Sequence, residues 1–133
     1  MIINQISVFL ENKAGKLAEF IRVLADNKID LQALSIAESQ DYGVLRIIAD
    51  KPEETAELLR KQNWPCSVTP VLAVTVPDRP GSLTNILAIL ADNNVSLSYS
   101  YAFLSRVSGK AMVVLRVEDN ESTMALLKNE GIL

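Results

Sequence analysis

Residues 78–83 of this chain read Asp78-Arg79-Pro80-Gly81-Ser82-Leu83, and they join an apolar run, 71–76, to an amphipathic run, 83–90. This arrangement predicts a turn that connects a strand to a helix. Pro80 fixes its own φ and disfavours helical φ/ψ at Arg79, whereas Gly81 can adopt a left-handed conformation. The first N–H groups of the following helix have no partners within it, so they attract a capping side chain, a carboxylate or a phosphate.

The same pattern occurs a second time, 66 residues earlier, where residues 12–17 read Asn12-Lys13-Ala14-Gly15-Lys16-Leu17. Between residues 12–31 and residues 78–97, seven of twenty aligned positions are identical. A repeat of this length is too long for a solenoid unit and is typical of a small domain present twice. We therefore expect one domain at residues 1–70 and a second at 71–133.

Hydrophobic periodicity predicts the order βαββαβ in the first half, which is the ferredoxin-like pattern. The predicted strands are 2–10, 29–37, 44–48 and 66–69, the helices are 16–27 and 50–62, and a hairpin lies at 39–43. The second half repeats this order with strands 71–77, 95–104 and 111–117, helices 82–93 and 122–130, and a hairpin at 105–109. Arg46 and Arg116 are interpreted as matching strand residues, which makes the second hairpin four residues longer.

The second half ends before it can form a full fourth strand. Its first strand, 71–76, is therefore expected at an exposed sheet edge or paired with another segment. With 133 residues, of which 49% are hydrophobic, each half alone would be marginally stable, so we expect the halves to pack together or to dimerise.

Composition excludes several classes of function. A net charge of −3 without any basic cluster argues against nucleic-acid binding. The chain has one cysteine and no histidine, which excludes an internal disulfide, a His/Cys zinc site and histidine catalysis. No signal peptide and no apolar run of the roughly 18 residues that span a bilayer can be found. The sequence predicts a cytoplasmic protein with no membrane partner and no cofactor.

These repeated turns and helices resemble tandem ACT domains, small regulatory modules that bind amino acids. The resemblance covers nearly the whole chain, and its most specific parts are residues 78–83 and 90–97 with their counterparts 11–17 and 29–31. The chain is also similar to stand-alone bacterial proteins made only of two such domains. The resemblance implies an α+β protein with two ferredoxin-like domains, antiparallel sheets with helices on one face, and side-by-side pairing of domains, as in a homodimer.

The resemblance also implies where a ligand binds. Carried over by position, Asn12 and Asp78 open the two turns, while Gly15 and Gly81 let a ligand approach the backbone. An amino acid offers a carboxylate to the helix N-terminus and an ammonium to a carboxylate such as Asp78. The alternative is that Asn12 and Asp78 merely cap their own turns or helices.

Further candidates lie at the second strand of each domain. Asp30 and Ser96 occupy the position where many family members have an Asn that binds the ligand, and Ala14 stands where Pro is usual. Tyr99, beside the second turn in the family fold, either walls an apolar pocket or packs against a neighbouring domain. The full set of candidate ligand-binding residues is Asn12, Ala14, Gly15, Lys16, Leu17, Asp30, Leu31, Asp78, Pro80, Gly81, Ser82, Leu83, Ser96, Leu97 and Tyr99.

The sequence therefore predicts a protein that binds a free amino acid at ACT domain interfaces and modulates a partner enzyme or regulator of amino-acid metabolism. The alternative function is an adaptor that binds no ligand and pairs with a partner through the open edge at 71–76. Catalysis is not expected, because no nucleophile–base–orienter grouping and no metal-ligand spacing are present.

Overall fold

The computed structural model describes residues 1–38, 41–104 and 107–133. The hairpins predicted at 39–43 and 105–109 include residues 39–40 and 105–106, which lie outside the described part of the chain. In chain order the elements are β1 (Ile2–Glu11), α1 (Lys16–Asp26), β2 (Leu31–Glu38), β3 (Tyr42–Ala49), α2 (Pro52–Lys61), β4 (Cys66–Pro77), α3 (Ser82–Asp92), β5 (Tyr99–Ala102), β6 (Lys110–Arg116) and α4 (Asn120–Asn129).

The chain forms two compact units. One comprises Asn4–Thr69, and the other comprises Met1–Ile3 together with Pro70–Leu133. We call them the N-terminal unit and the C-terminal unit. Strands β1 and β4 each contribute residues to both units.

In the N-terminal unit the strand order is β2-β3-β1, and both pairs are antiparallel. Alternate residues of β1, Ile6, Val8 and Leu10, are buried, as the period of two along a strand requires. They share one core with Phe20 of α1 and Leu59 of α2. Both helices therefore cover the same face of the sheet, as the ferredoxin-like pattern predicts.

The C-terminal unit repeats this architecture with the antiparallel order β4-β6-β5. Its core combines Leu72 and Val74 of β4 with Ile86 and Leu90 of α3 and Leu127 of α4. The helix stripes that bury these residues follow the 3.6-residue period read from the sequence.

The missing fourth strand of the C-terminal unit is replaced by the first residues of the chain. The N–H of Ala73 donates to the carbonyl of Met1 at 2.8 Å, and the amino-terminal ammonium donates to the Ala73 carbonyl at 3.0 Å. Ile2 packs against the core of this unit. Strand 71–76 is therefore paired with another segment at Ala73, and the adaptor alternative loses this part of its expected binding edge.

Several element boundaries differ from the sequence-based expectation. Strand β5 covers only Tyr99–Ala102 of the predicted 95–104, and β2 begins at Leu31 instead of 29. The apolar residues before each strand, Ile29 and Val95, pack against the cores without forming ladder pairs. Helix α4 begins at Asn120, two residues earlier than predicted, because Asp119 caps it by accepting from the N–H of Ser122 at 3.1 Å.

Strand register corrects the proposed match between Arg46 and Arg116. Ile6 pairs with Ile47 in the N-terminal unit, and Leu72, the residue equivalent to Ile6, pairs with Leu115. The offset between equivalent residues is thus 66 in β1 and β4 but 68 in β3 and β6. The second hairpin is two residues longer, not four, because the buried positions of the strands, not the identical arginines, determine the alignment.

Candidate functional site

Both predicted turns adopt the backbone conformation that their glycines allow. Gly15 has φ 86° and Gly81 has φ 85°, and each is the N-cap residue directly before its helix, α1 or α3. Since glycine has no side chain, neither N-cap residue supplies a side-chain acceptor to its helix, although the N–H groups of Lys16 and Ser82 donate to the carbonyls of Lys13 and Arg79 at 3.2 Å and 3.3 Å. Each turn therefore presents a helix start with hydrogen-bond donors and partial positive charge.

The turn of the N-terminal unit is rich in paired charges. Asn12 donates from Nδ2 to Glu38 Oε1 at 2.9 Å, so its side chain is engaged with β2 instead of capping α1. Lys13 Nζ lies 3.0 Å from Glu11 Oε2. The hydrogen bond and positive charge of Lys13 lower the pKa of the Glu11 carboxyl below its ordinary value. At the start of the helix, Lys16 Nζ lies 3.6 Å from Glu19 Oε2.

Two clefts adjoin this turn. The larger, of about 350 Å³, lies between the end of β1, the start of α1 and the segment after α2, and Lys16 and Trp64 line it. The smaller, of about 210 Å³, is lined by Asn12, Leu17 and Glu38. Predicted residues of the first turn are thus divided between two neighbouring clefts.

The turn of the C-terminal unit borders a cleft of about 430 Å³, whose lining includes Pro80, Gly81 and Ser82. The Ser82 hydroxyl oxygen is fully buried and has no hydrogen-bond partner among the described residues. Asp78 does not line the cleft. Its backbone N–H donates to the carbonyl of Gly109 at 2.9 Å.

The 430 Å³ and 350 Å³ clefts are equivalent by the repeat. Each is closed by the residues that follow the second helix of its unit, and Trp64 in the first cleft corresponds to Ile132 in the second. The Trp64 N–H donates to Leu59 O at 2.8 Å, and the Ile132 N–H donates to Leu127 O at 2.9 Å. Sequence reasoning did not identify Trp64 and Ile132 as wall residues. What relates them is an offset of 68 residues, which the two hydrogen-bonded pairs share.

The candidates at the second strands lie at the opposite end of each sheet from the turns. Leu31 pairs with Ala49, whereas Glu11, which precedes the first turn, pairs with Tyr42. The seven-residue separation along β3 corresponds to about 23 Å. Asp30 is the residue before Leu31. Its N–H donates to Asp50 Oδ1 at 3.1 Å, and the N–H of Asp50 donates to the Asp30 carbonyl at 3.2 Å. Within the N-terminal unit, Asp30 therefore lies far from the turn at Gly15.

The second repeat shows the same separation. Tyr99 pairs with Arg116 and Pro77 pairs with Lys110, so Tyr99 lies about 20 Å along β6 from the turn. Tyr99 therefore does not lie beside the turn of its own unit, and its role as the wall of a pocket stays a prediction. Tyr99 stacks on Tyr101, with ring centroids 6.4 Å apart.

The remaining candidates divide between core and surface. Leu31 and Leu97 are half-buried and pack against the cores of their units. Leu83, Ser96 and Ala14 are exposed. None of these five residues lines any of the three clefts at the turns.

Within residues 1–38, 41–104 and 107–133, no three or more Cys, Asp or Glu side chains are grouped to hold a metal ion. In the same ranges no helix is long and apolar enough to cross a bilayer.

The turns, the clefts and the repeated architecture can be compared with known proteins. A family model described as the ACT domain pair matches residues 1–132. This chain belongs to the ACT domain pair family. The predicted α+β class and the tandem ferredoxin-like domains are thereby confirmed. No protein with curated function is significantly similar to this ACT domain pair.

Solved structures share the same fold. A protein from Bacteroides thetaiotaomicron is 34% identical, with a TM-score of 0.91 over 99% of this chain and 90% of that protein. The ligand-free regulatory subunit of aspartate kinase from Thermus thermophilus is 12% identical, with a TM-score of 0.66 over 97% of this chain and 96% of that chain. The regulatory subunit of aspartate kinase from Thermus flavus is 14% identical, with a TM-score of 0.63 over 96% and 92%, respectively.

Proposed function

We propose that this ACT domain pair is a cytoplasmic regulatory protein that binds a free amino acid. In its ligand-bound state it modulates a partner enzyme or regulator of amino-acid metabolism. The supporting observation is that α1 begins directly after Gly15 and α3 directly after Gly81. Each of these helix starts lies beside a cleft of its own unit. The N–H groups and dipole of such a helix start attract the carboxylate of an amino acid. The proposal assigns no catalytic step to the chain.

The structural relatives are consistent with this role. Two of them are regulatory subunits of aspartate kinase, and they share the fold at 12% and 14% identity. A non-catalytic ACT pair that controls a separate enzyme is therefore compatible with this architecture. The ligand would act through its differential affinity for two arrangements of the protein, because a ligand shifts an equilibrium only by that difference.

A homodimer is part of the proposal. Asp30 and Ser96 are the positions at which the family resemblance implies ligand contacts, and in each unit they belong to the sheet end opposite the turn. A site that combines a turn with such a position needs residues from outside that unit. A second copy of the chain supplies them. Sedimentation velocity with and without ligand tests this arrangement.

Thermal unfolding tests the proposed function. The purified protein is heated with each of the twenty common amino acids at millimolar concentration. A ligand present at about 100 times its dissociation constant adds roughly 2.7 kcal/mol, which raises the midpoint by several degrees. We expect one amino acid or one chemical group of amino acids to give this rise.

Two matched variants show whether the turns are involved. Asp78→Ala and Asn12→Ala remove equivalent side chains from the two turns, and both positions are exposed. We expect at least one of them to reduce the ligand-induced rise without lowering the midpoint of the free protein by more than a few degrees. If no amino acid raises the midpoint, the proposed function is wrong.

A further inference from the structure

The two turns have the same backbone conformation but different charges. Three charged residues line the 350 Å³ cleft of the N-terminal unit, namely Glu11, Lys16 and Glu19. At the equivalent positions, the 430 Å³ cleft of the C-terminal unit has Pro77, Ser82 and Asn85. The two clefts therefore lie at equivalent places in the repeat, but these three charges are present in only one of them.

In the N-terminal unit the charges of the turn satisfy one another. Lys13 contacts Glu11 at 3.0 Å and Lys16 contacts Glu19 at 3.6 Å. Together with Glu38, three carboxylates line the two clefts at this turn. A carboxylate ligand placed there would face like charges, and the neighbouring lysines already have acidic partners.

In the C-terminal unit the charge balance is reversed. Among the described residues, Arg79 is the only charged residue that lines the cleft, and its guanidinium forms no ion pair with any of them. Ser82 lines the same cleft, and its hydroxyl oxygen is buried without a hydrogen bond in the described part of the chain. A buried polar atom without a partner costs free energy, which a polar ligand would recover. Other residues of the wall include the apolar Val76, Ile86 and Ile132 and the polar, uncharged Thr75 and Asn85.

We infer that only the turn of the C-terminal unit binds the amino acid, that Arg79 and Ser82 contact its carboxylate, and that its side chain is uncharged. This inference rests on the proposed function and narrows it to one site and one ligand class. Among the described residues of the cleft lining there is no carboxylate for a cationic side chain, and the one cation, Arg79, is already used by the ligand's own carboxylate.

NMR titration of the full-length, ¹⁵N-labelled chain tests the inference. The probes are L-valine, L-leucine and L-threonine as neutral amino acids, and L-lysine and L-aspartate as charged ones. The amides of Gly81 and Ser82 report on one turn, and those of Gly15 and Lys16 report on the other. We expect a neutral probe to shift the Gly81 and Ser82 signals saturably and to leave the Gly15 and Lys16 signals in place.

A matched pair of variants separates Arg79 from its counterpart. Arg79→Gln and Lys13→Gln each remove one exposed cation from the same position of a turn. We expect Arg79→Gln to raise the dissociation constant at least about tenfold, as the loss of a charge-assisted hydrogen bond does, and Lys13→Gln to leave it unchanged.

Different failures have different meanings. Saturable shifts at Gly15 and Lys16, tighter binding of lysine or aspartate than of every neutral probe, or equal effects of the two variants would overturn this inference and leave the proposed function in place. If none of the twenty amino acids raises the unfolding midpoint and none of the five probes moves any amide, both the proposed function and this inference are wrong.

Discussion

Met1 and Ala73 form a reciprocal pair of backbone hydrogen bonds, with lengths of 2.8 Å and 3.0 Å, although 72 positions separate them in the chain. In an antiparallel sheet such a reciprocal pair marks two residues directly opposite each other. The amino terminus is thus a structural strand of the C-terminal unit. Its side chain at Ile2 enters the same core as Leu127.

Ile2→Ala should destabilise the C-terminal unit by about 1–2 kcal/mol, because a half-buried apolar side chain is removed. The matched control is Val68→Ala, which truncates a half-buried residue at the core of the N-terminal unit. Native-state hydrogen exchange measures both. Ile2→Ala should reduce protection in residues 72–76, and Val68→Ala should not. Unchanged protection of residues 72–76 in Ile2→Ala would show that the amino-terminal segment does not stabilise the C-terminal unit.

The fold could be predicted from the sequence where local chemistry and hydrophobic period agree. The two Gly turns and the stripe around Phe20 and Leu24 are such places, because backbone sterics and side-chain period act within a few residues. The pairing of Met1 with Ala73 could not be predicted, since it depends on a contact between distant segments. The late start of β5 was missed for a related reason, because its apolar period begins at Val95 and Leu97, which pack against the core without ladder partners.

Phe20 and Trp64 link α1 to the segment after α2, with ring centroids 5.2 Å apart and an interplanar angle of 75°. Edge-to-face pairs contribute about 0.5–1.5 kcal/mol beyond the area that they bury. We expect a double-mutant cycle of Phe20→Leu and Trp64→Leu, measured by urea unfolding followed by circular dichroism, to show coupling of this size.

The control cycle combines Trp64→Leu with Ile89→Val, a half-buried residue in the core of the other unit. Its two changes should be additive within about 0.5 kcal/mol, because residues without shared contacts act independently. Equal coupling in both cycles would mean that the ring contact has no specific energy.

Cys66 is half-buried, and burial raises the pKa of its thiol above the ordinary value, while the positive charge of Arg60 opposes this rise. Arg60→Gln should raise the pKa further and slow alkylation by iodoacetamide at pH 8.5, since the thiolate is the nucleophile. The control is Lys61→Gln, whose cation contacts Glu57 at 3.2 Å. Equal rates for Arg60→Gln and the unmodified protein would contradict the assigned role of Arg60.

The same shift makes stability depend on pH. Above the ordinary thiol pKa the unfolded chain loses the Cys66 proton while the folded chain keeps it, so the unfolded state binds fewer protons. The contribution of Cys66 to the free energy of unfolding is therefore present at lower pH and is lost as the pH rises above that value. Cys66→Ala should flatten this part of the stability profile, measured by urea unfolding between pH 7 and pH 10.

The candidate site was predictable only in part. Residues 78–83 and their counterparts identified the turns because Pro and Gly impose specific backbone geometry. The walls formed by Trp64 and Ile132 come from a segment more than forty residues away from each turn, and no local pattern marks them. Asp30 was assigned to the site by position in the family, and the strand register places it at the other end of the sheet from the first turn.

Gly15→Ala and Gly81→Ala should each destabilise the protein by about 1–2 kcal/mol, because both glycines have φ near +85°, where a Cβ is strained. The cost is conformational, since a Cβ at either position meets nothing within 4 Å. Gly43→Ala is the control. Its φ is not in the left-handed region, and its Cβ would make an ordinary 3.5 Å contact with Ile36. We expect a change within about 0.5 kcal/mol there, measured by urea unfolding. Equal losses in all three variants would mean that strain at the turns is not the cause.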